Sequence, residues 1–230
     1  MTPRAILFDA LGTLVKLAPP APRLQAELAA RHGVRVSEED AQAAMAAEIS
    51  FYRRHLDQGR DRDSLAALRE QCAAALRGAL PPDAQALLPA PAALSDALLA
   101  SLHFDAFSEV PPALEAYRAR GLRLVVVSNW DVSLHGVLAD VGLTVFLDGI
   151  LTAAEAGVRK PAPEIFRQAL GLAGVTAAEA IHVGDSVEED VAGARAAGIE
   201  PVLLDRDGRE RPGPGRSGVR TVTGLDQLVF

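Results

Sequence analysis

Apolar residues follow three different rhythms along the chain. The first is a short unbroken run, Ala5, Ile6, Leu7 and Phe8, that stops at one carboxylate, Asp9, and breaks at Gly12 and Thr13. Four consecutive apolar residues predict a strand buried on both faces. An Asp at its carboxyl end sits where open α/β sheets place their chemistry. From about Pro19 to Phe107 the rhythm changes to spacings of three and four: Met45, Ile49, Tyr52 and Leu56, then Leu65, Leu68, Cys72, Leu76 and Leu80. Ser37 with Asp40 forms a helix-start signal, Gly33 and Gly59 fall where helices stop, and Pro81, Pro82, Pro89 and Pro91 interrupt the later part. This stretch reads as a bundle of about four helices.

The third rhythm begins at Val110 and alternates strand with helix. Leu122–Val127 reads as a buried strand ending at Ser128 and Asn129, with Asp131 placed to cap the next helix. Phe146–Leu151 is a weaker strand and Pro161–Leu172 a helix opened by prolines. Ala180–Val183 is a strand ending at Gly184 and Asp185, and Val187–Ala197 a helix stopped by Gly198. Pro201–Leu204 and Val219–Val222 are further strands, joined by a Gly-, Pro- and charge-rich loop, Asp205–Gly218. Such alternation implies a parallel sheet covered on both faces. The chain therefore divides into an α/β core, residues 1–15 and 108–230, and a helical insertion, residues 16–107.

Composition narrows the partners. Hydrophobic residues make up 49% of the 230, ample for a packed core. A net charge of -7 and a pI near 5.3 leave no basic footprint for nucleic acid or an anionic membrane. One cysteine, Cys72, allows no internal disulfide, and no leader or long apolar span is evident, so a cytoplasmic protein is expected, monomeric or homodimeric. Among 23 basic residues the lysines are Lys16 and Lys160. In so arginine-rich a chain, a lysine marks a place that needs a compact ammonium.

Four polar sites fall at strand ends or helix starts: Asp9; Ser128 with Asn129; Lys160 in VRKPAPEIF; and Asp185 with Asp190 in GDSVEEDVAGA. Their order and context resemble the four motifs of the haloacid dehalogenase-like hydrolase superfamily, over essentially the whole chain. The stretches SNWDVSLHGVLADVGL, KPAPEIF and HVGDSVEEDVAGARAAG are most similar to its Reg-2-like branch, and the insertion resembles the family's first type of helical cap. The resemblance implies a Rossmann-like, three-layer α/β core and an all-helical, four-helix-type cap.

It also implies chemistry. The residue matching Asp9 is the family's nucleophile and forms an aspartyl ester, usually an aspartyl phosphate. Lys160 would neutralise charge on nucleophile and phosphoryl group. Ser128, helped by the backbone near Asn129 and Leu11, would bind a phosphoryl oxygen. Magnesium would be held by Asp9, the Leu11 carbonyl and Asp185, with Asp190 in support. Trp130 is a further pocket candidate. A small phosphorylated metabolite is the expected substrate.

At one position the chain departs from the pattern. The phosphatases carry a second Asp two residues after the nucleophile, as acid and base; here that residue is Leu11. A positioned acid or base contributes about 10² to 10⁴ in rate, so alkyl phosphates should suffer most and acyl phosphates least. Glu155 or a residue of the insertion is a possible substitute. Two alternatives follow from Leu11: a binding or regulatory module that has lost turnover, and a haloacid dehalogenase, whose halide leaves without a proton. The pair Asp185 and Asp190 is of the magnesium type and speaks against the second. His182, inside a strand, and Cys72, in an apolar stripe, read as core residues.

Overall fold

A computed structural model describes residues 3–207 and 218–228 of the chain. The described residues form two units: residues 3–16 with 105–207 and 218–228, and residues 17–104. Lys16 and residues 105–107, expected in the helical insertion, thus belong with the α/β unit. The reason is that the chain crosses between units in two short paired strands, β2 (Val15–Leu17) and β3 (Phe104–Ala106), rather than in loops.

The helical unit contains α1 (Pro20–His32), α2 (Glu38–His55), α3 (Arg62–Gly78), α4 (Pro82–Leu87) and α5 (Pro91–Ser101). Five helices stand where about four were expected. Pro82 and Pro91 each open a helix, at the first turn where a missing N–H is harmless, and so divide the last segment. Ser37 caps α2 by accepting from the Asp40 N–H at 3.0 Å. Leu24, Leu28, Met45, Leu68, Cys72, Leu76, Leu94 and Leu98 share one core.

In the α/β unit, β1 (Ala5–Phe8) is wholly buried. After α6 (Val110–Ala119) come β4 (Arg123–Ser128), α7 (Leu134–Asp140), β5 (Gly149–Thr152), α8 (Ala153–Ala156) and α9 (Pro163–Ala173). Then follow β6 (Ala180–Gly184), a wide turn of π type over Val187–Ala192, α10 (Gly193–Ala196), β7 (Glu200–Leu204) and β8 (Arg220–Val222). The sheet order is β5-β4-β1-β6-β7-β8, with every pairing parallel.

From β1 the order runs outward in both directions, to β4 on one side and β6 on the other. Strand order reverses at β1, and such a switch point leaves a crevice at the carboxyl ends of the strands. Phe146, expected in a strand, lies instead in a 3₁₀ turn ahead of β5. Residues 208–217 of the expected Asp205–Gly218 loop lie outside the described residues.

Candidate active site

Three neighbouring strands, β4, β1 and β6, deliver polar residues to one end of the sheet. Asp9 follows β1 directly, and its N–H donates to the Val183 carbonyl at 2.9 Å, extending the β1–β6 ladder by one step. The chain then turns sharply. The N–H groups of Leu14 and Val15 both donate to the Ala10 carbonyl, at 2.8 and 3.0 Å, and Gly12 adopts φ +84°. A Cβ at Gly12 would stand 2.2 Å from Asp185 Oδ2, so position and conformation both call for glycine.

Asp9 and Lys160 are buried together. Lys160 Nζ donates to Asp9 Oδ1 and to Asp190 Oδ1, each at 2.6 Å, and Ser128 Oγ donates to Asp9 Oδ1 at 2.9 Å. Asp190 is held from every side: His182 Nε2 meets its Oδ1 at 2.8 Å and the Ser186 N–H donates to its Oδ2 at 3.0 Å. A carboxylate only accepts, so the His182 proton lies on Nε2. The approach is close: a Cβ at Gly184 would overlap Asp190 Cγ at 2.1 Å. Asn129 holds the Lys160 backbone, donating from Nδ2 to its carbonyl at 3.0 Å and accepting its N–H at 2.8 Å.

Asp9, Asp185 and Asp190 offer oxygens within 4.8 Å of one another. Three carboxylates therefore face one buried ammonium. Burial works against the charge of Lys160, but Asp190 and Asp9 outweigh it and raise its pKa, so it stays protonated. Burial likewise works against Asp190, yet Lys160 and the His182 hydrogen bond hold that carboxyl well below the usual range. Asp9 is raised, by burial first and Asp190 as well, with Lys160 only partly compensating. Asp185 reaches solvent on one side, but desolvation on the others, then Asp9 and Asp190, push it up to about 7. Lys160 satisfies Asp190, and the surplus negative charge falls on Asp9 and Asp185.

The residues singled out from sequence divide on inspection. Asp9, Ser128, Lys160, Asp185 and Asp190 converge. Leu11 lies in the turn, with its side chain 36% exposed. Asn129 comes to the same place, but its side chain spans the Lys160 backbone, so it positions Lys160 instead of presenting an amide to a ligand. Trp130 is buried, which leaves little of the ring to meet a substrate.

Glu155 is committed elsewhere. Its carboxylate accepts from Thr152 N and Oγ1, at 3.0 and 2.9 Å, and meets His135 Nε2 at 2.9 Å. Partial burial works the other way, but these bonds win and lower its pKa, the wrong direction for an acid and base near neutrality. His182, read as a core residue, is wholly buried, and from the core it props Asp190. An orientation inside a strand buried on both faces leaves no periodic signal that could have shown this second role.

A family model for haloacid dehalogenase-like hydrolases matches residues 3–198. The chain belongs to that family of hydrolases. It is 35% identical over 206 residues to haloacid dehalogenase-like hydrolase domain-containing protein 3 of Mus musculus, covering 87% of this chain and 81% of that protein. A ribulose-1,5-bisphosphate 5-phosphatase of Halopiger xanaduensis is 38% identical over 117 residues, 49% of this chain and 48% of that one. Over several other curated relatives, among them the cattle, zebrafish and human proteins of the same name, the chain spans about half of the relative's length. Among solved structures, a 2-haloacid dehalogenase from Pseudomonas syringae superimposes with a TM-score of 0.67 at 25% identity, over 99% of this chain and 96% of that one.

Proposed function

We propose that the chain is a magnesium-dependent phosphatase that acts on a small phosphorylated metabolite through a phosphoryl ester on Asp9. The observation that carries this is the convergence of Lys160 Nζ and Ser128 Oγ on one oxygen of Asp9, at 2.6 and 2.9 Å, beside two further carboxylates. Phosphatase-named relatives support the reading. The other oxygen of Asp9, Oδ2, which neither donor engages, attacks phosphorus as the bond to the leaving group breaks. Lys160 and Ser128 stand ready for the charge gathering on the phosphoryl oxygens, where positioned donors count for most. Water then attacks the aspartyl phosphate, releasing phosphate and restoring the carboxylate.

The donor set fits a hard divalent cation: Asp9 and Asp185 supply oxygens and carry the charge that Lys160 leaves uncompensated. Asp190, whose oxygens already serve Lys160, His182 and Ser186, supports Lys160. When bound, magnesium would supply charge neutralisation and orient the phosphoryl group. Leu11 offers no proton to a leaving group. Acyl phosphates, which leave without one, are therefore the favoured substrates.

The test is mass spectrometry of the acid-quenched protein after incubation with acetyl phosphate and magnesium. A phosphoryl adduct on wild type and none on Asp9→Asn is the expected result. The absence of both adduct and phosphate release would overturn the reading in favour of a binding module, and halide release from a 2-haloacid would favour a dehalogenase. Leu11→Asp should raise turnover of alkyl phosphates by about 10² or more, the usual contribution of a positioned acid and base.

A further inference from the structure

Arg206 lies just beyond β7, outside the four motifs, yet its guanidinium joins three segments of the α/β unit. Nε donates to the Gly12 carbonyl at 2.9 Å and Nη2 to the Thr13 carbonyl at 2.6 Å. Nη1 pairs with the Glu109 carboxylate, and the guanidinium carbon lies 3.5 Å from the centroid of the Phe107 ring. The side chain is only 16% exposed, so these charged contacts are made largely out of water, where they are stronger. A planar fork of donors suits this site; an ammonium could not reach two carbonyls, a carboxylate and a ring face at once.

The two carbonyls belong to the turn that follows Asp9. Thr13 Oγ1 is buried with no partner among the described residues, so Thr13 is held by its main chain, N–H to Ala10 and carbonyl to Arg206. Gly12 is gripped from two sides, its carbonyl by Arg206 and its Cα against Asp185. Phe107 and Glu109 lie where the chain re-enters the α/β unit after β3. None of these hydrogen bonds goes to Asp9 itself.

We propose that Arg206 is a positioning residue that pins the Gly12–Thr13 turn to the Phe107–Glu109 segment and so sets the places of Asp9 and Asp185 for phosphoryl transfer. The inference rests on the phosphatase reading for its consequence and on geometry for the clamp, and the two are tested apart. In Arg206→Ala, amide hydrogen exchange should accelerate at residues 12–15 and 107–110 and stay unchanged in the helical unit. The kcat for acetyl phosphate should fall about 10- to 100-fold, with KM within about threefold, since a small misplacement of reacting groups costs rate on that order. Arg206→Lys should not recover it. Guanidinium, added well below denaturing concentrations, should partly rescue Arg206→Ala.

Unchanged exchange at residues 12–15, or a lower melting temperature with kcat intact, would overturn the proposal. Acceleration spread evenly over the α/β unit would do so too, because it reports general loosening. If wild type neither labels nor releases phosphate, the phosphatase reading fails alone and the exchange experiment still decides whether Arg206 holds the turn.

Discussion

In the α/β unit Lys160 is buried with a carboxylate oxygen at 2.6 Å on each side, whereas in the helical unit Glu48 is buried at 5% exposure with the Cys72 thiol as its hydrogen-bond partner. Both groups are removed from water, and both face the same large desolvation cost. Lys160 keeps its charge because two anions offset that cost, and its pKa rises. No cation does the same for Glu48 among the described residues. Burial pushes its carboxyl up to about 7, with the thiol pulling weakly the other way. Burial thus demands pairing or surrender of charge, and only the paired arrangement supplies a fixed charge for chemistry.

The strongest way to break the contrast is to make the site resemble the helical unit. Lys160→Met leaves Asp9 and Asp190 buried without their cation. Removing one partner of a buried pair costs about 3–5 kcal/mol, so the variant should unfold at much lower denaturant and lose phosphoryl transfer altogether. Chemical denaturation and the adduct assay measure the two losses separately. A variant as stable as wild type would mean that Asp9 and Asp190 are already neutral and that the buried cation is not what holds the site.

Glu48 allows the opposite operation. In the unfolded chain its carboxyl ionises near 4.5; in the folded unit it holds its proton to about 7. Between those values the unfolded state loses the proton first. Stability contributed by neutral Glu48 is therefore complete below about pH 4.5, falls as pH rises, and is gone above about 7. Glu48→Gln removes the titration. It should gain at most about 3 kcal/mol at pH 8 over wild type, because each tenfold difference in proton affinity is worth about 1.4 kcal/mol, and nothing at about pH 4. Melting curves across that range check both sign and window.

The same contrast explains what could be read from sequence. Asp9, Ser128, Lys160 and the pair Asp185 and Asp190 lie far apart in the chain, but each site falls at the end of an apolar run or the start of a helix, so the rhythm that places the strands also places them. The buried stripes of α2 and α3 are visible in the same way, through Met45, Leu68, Cys72 and Leu76. Contacts made sideways leave no trace. His182 sits in a strand buried throughout, where no polar face separates in from out, and Asn129 gives the same letter whether it binds a ligand or a loop. Arg206 is one arginine among many until the fold sets it over Phe107. The π turn at Val187–Ala192 reads as ordinary helix because its extra residue per turn changes hydrogen bonds, with Ser186 O accepting from both Asp190 and Val191, and not composition.

His182 offers the smallest and sharpest test, because it lies between the two regimes: a buried ring serving a charged network. Its Nε2–H supports Asp190, while its Nδ1 is buried without a partner among the described residues and the ring meets the Phe166 edge at 5.0 Å between centroids. In His182→Leu the bond to a charged acceptor is lost, about 1.5–3 kcal/mol, but the cost of the orphaned Nδ1, about 1–3 kcal/mol, disappears with it. The net change in stability should be about 1 kcal/mol or less. Asp190 keeps Lys160 and the Ser186 N–H, so the network survives with one strut missing. The adduct on Asp9 should still form, more slowly, and KM should hardly move. A loss of stability as large as that of Lys160→Met would show that His182 is as necessary to the buried network as the lysine itself.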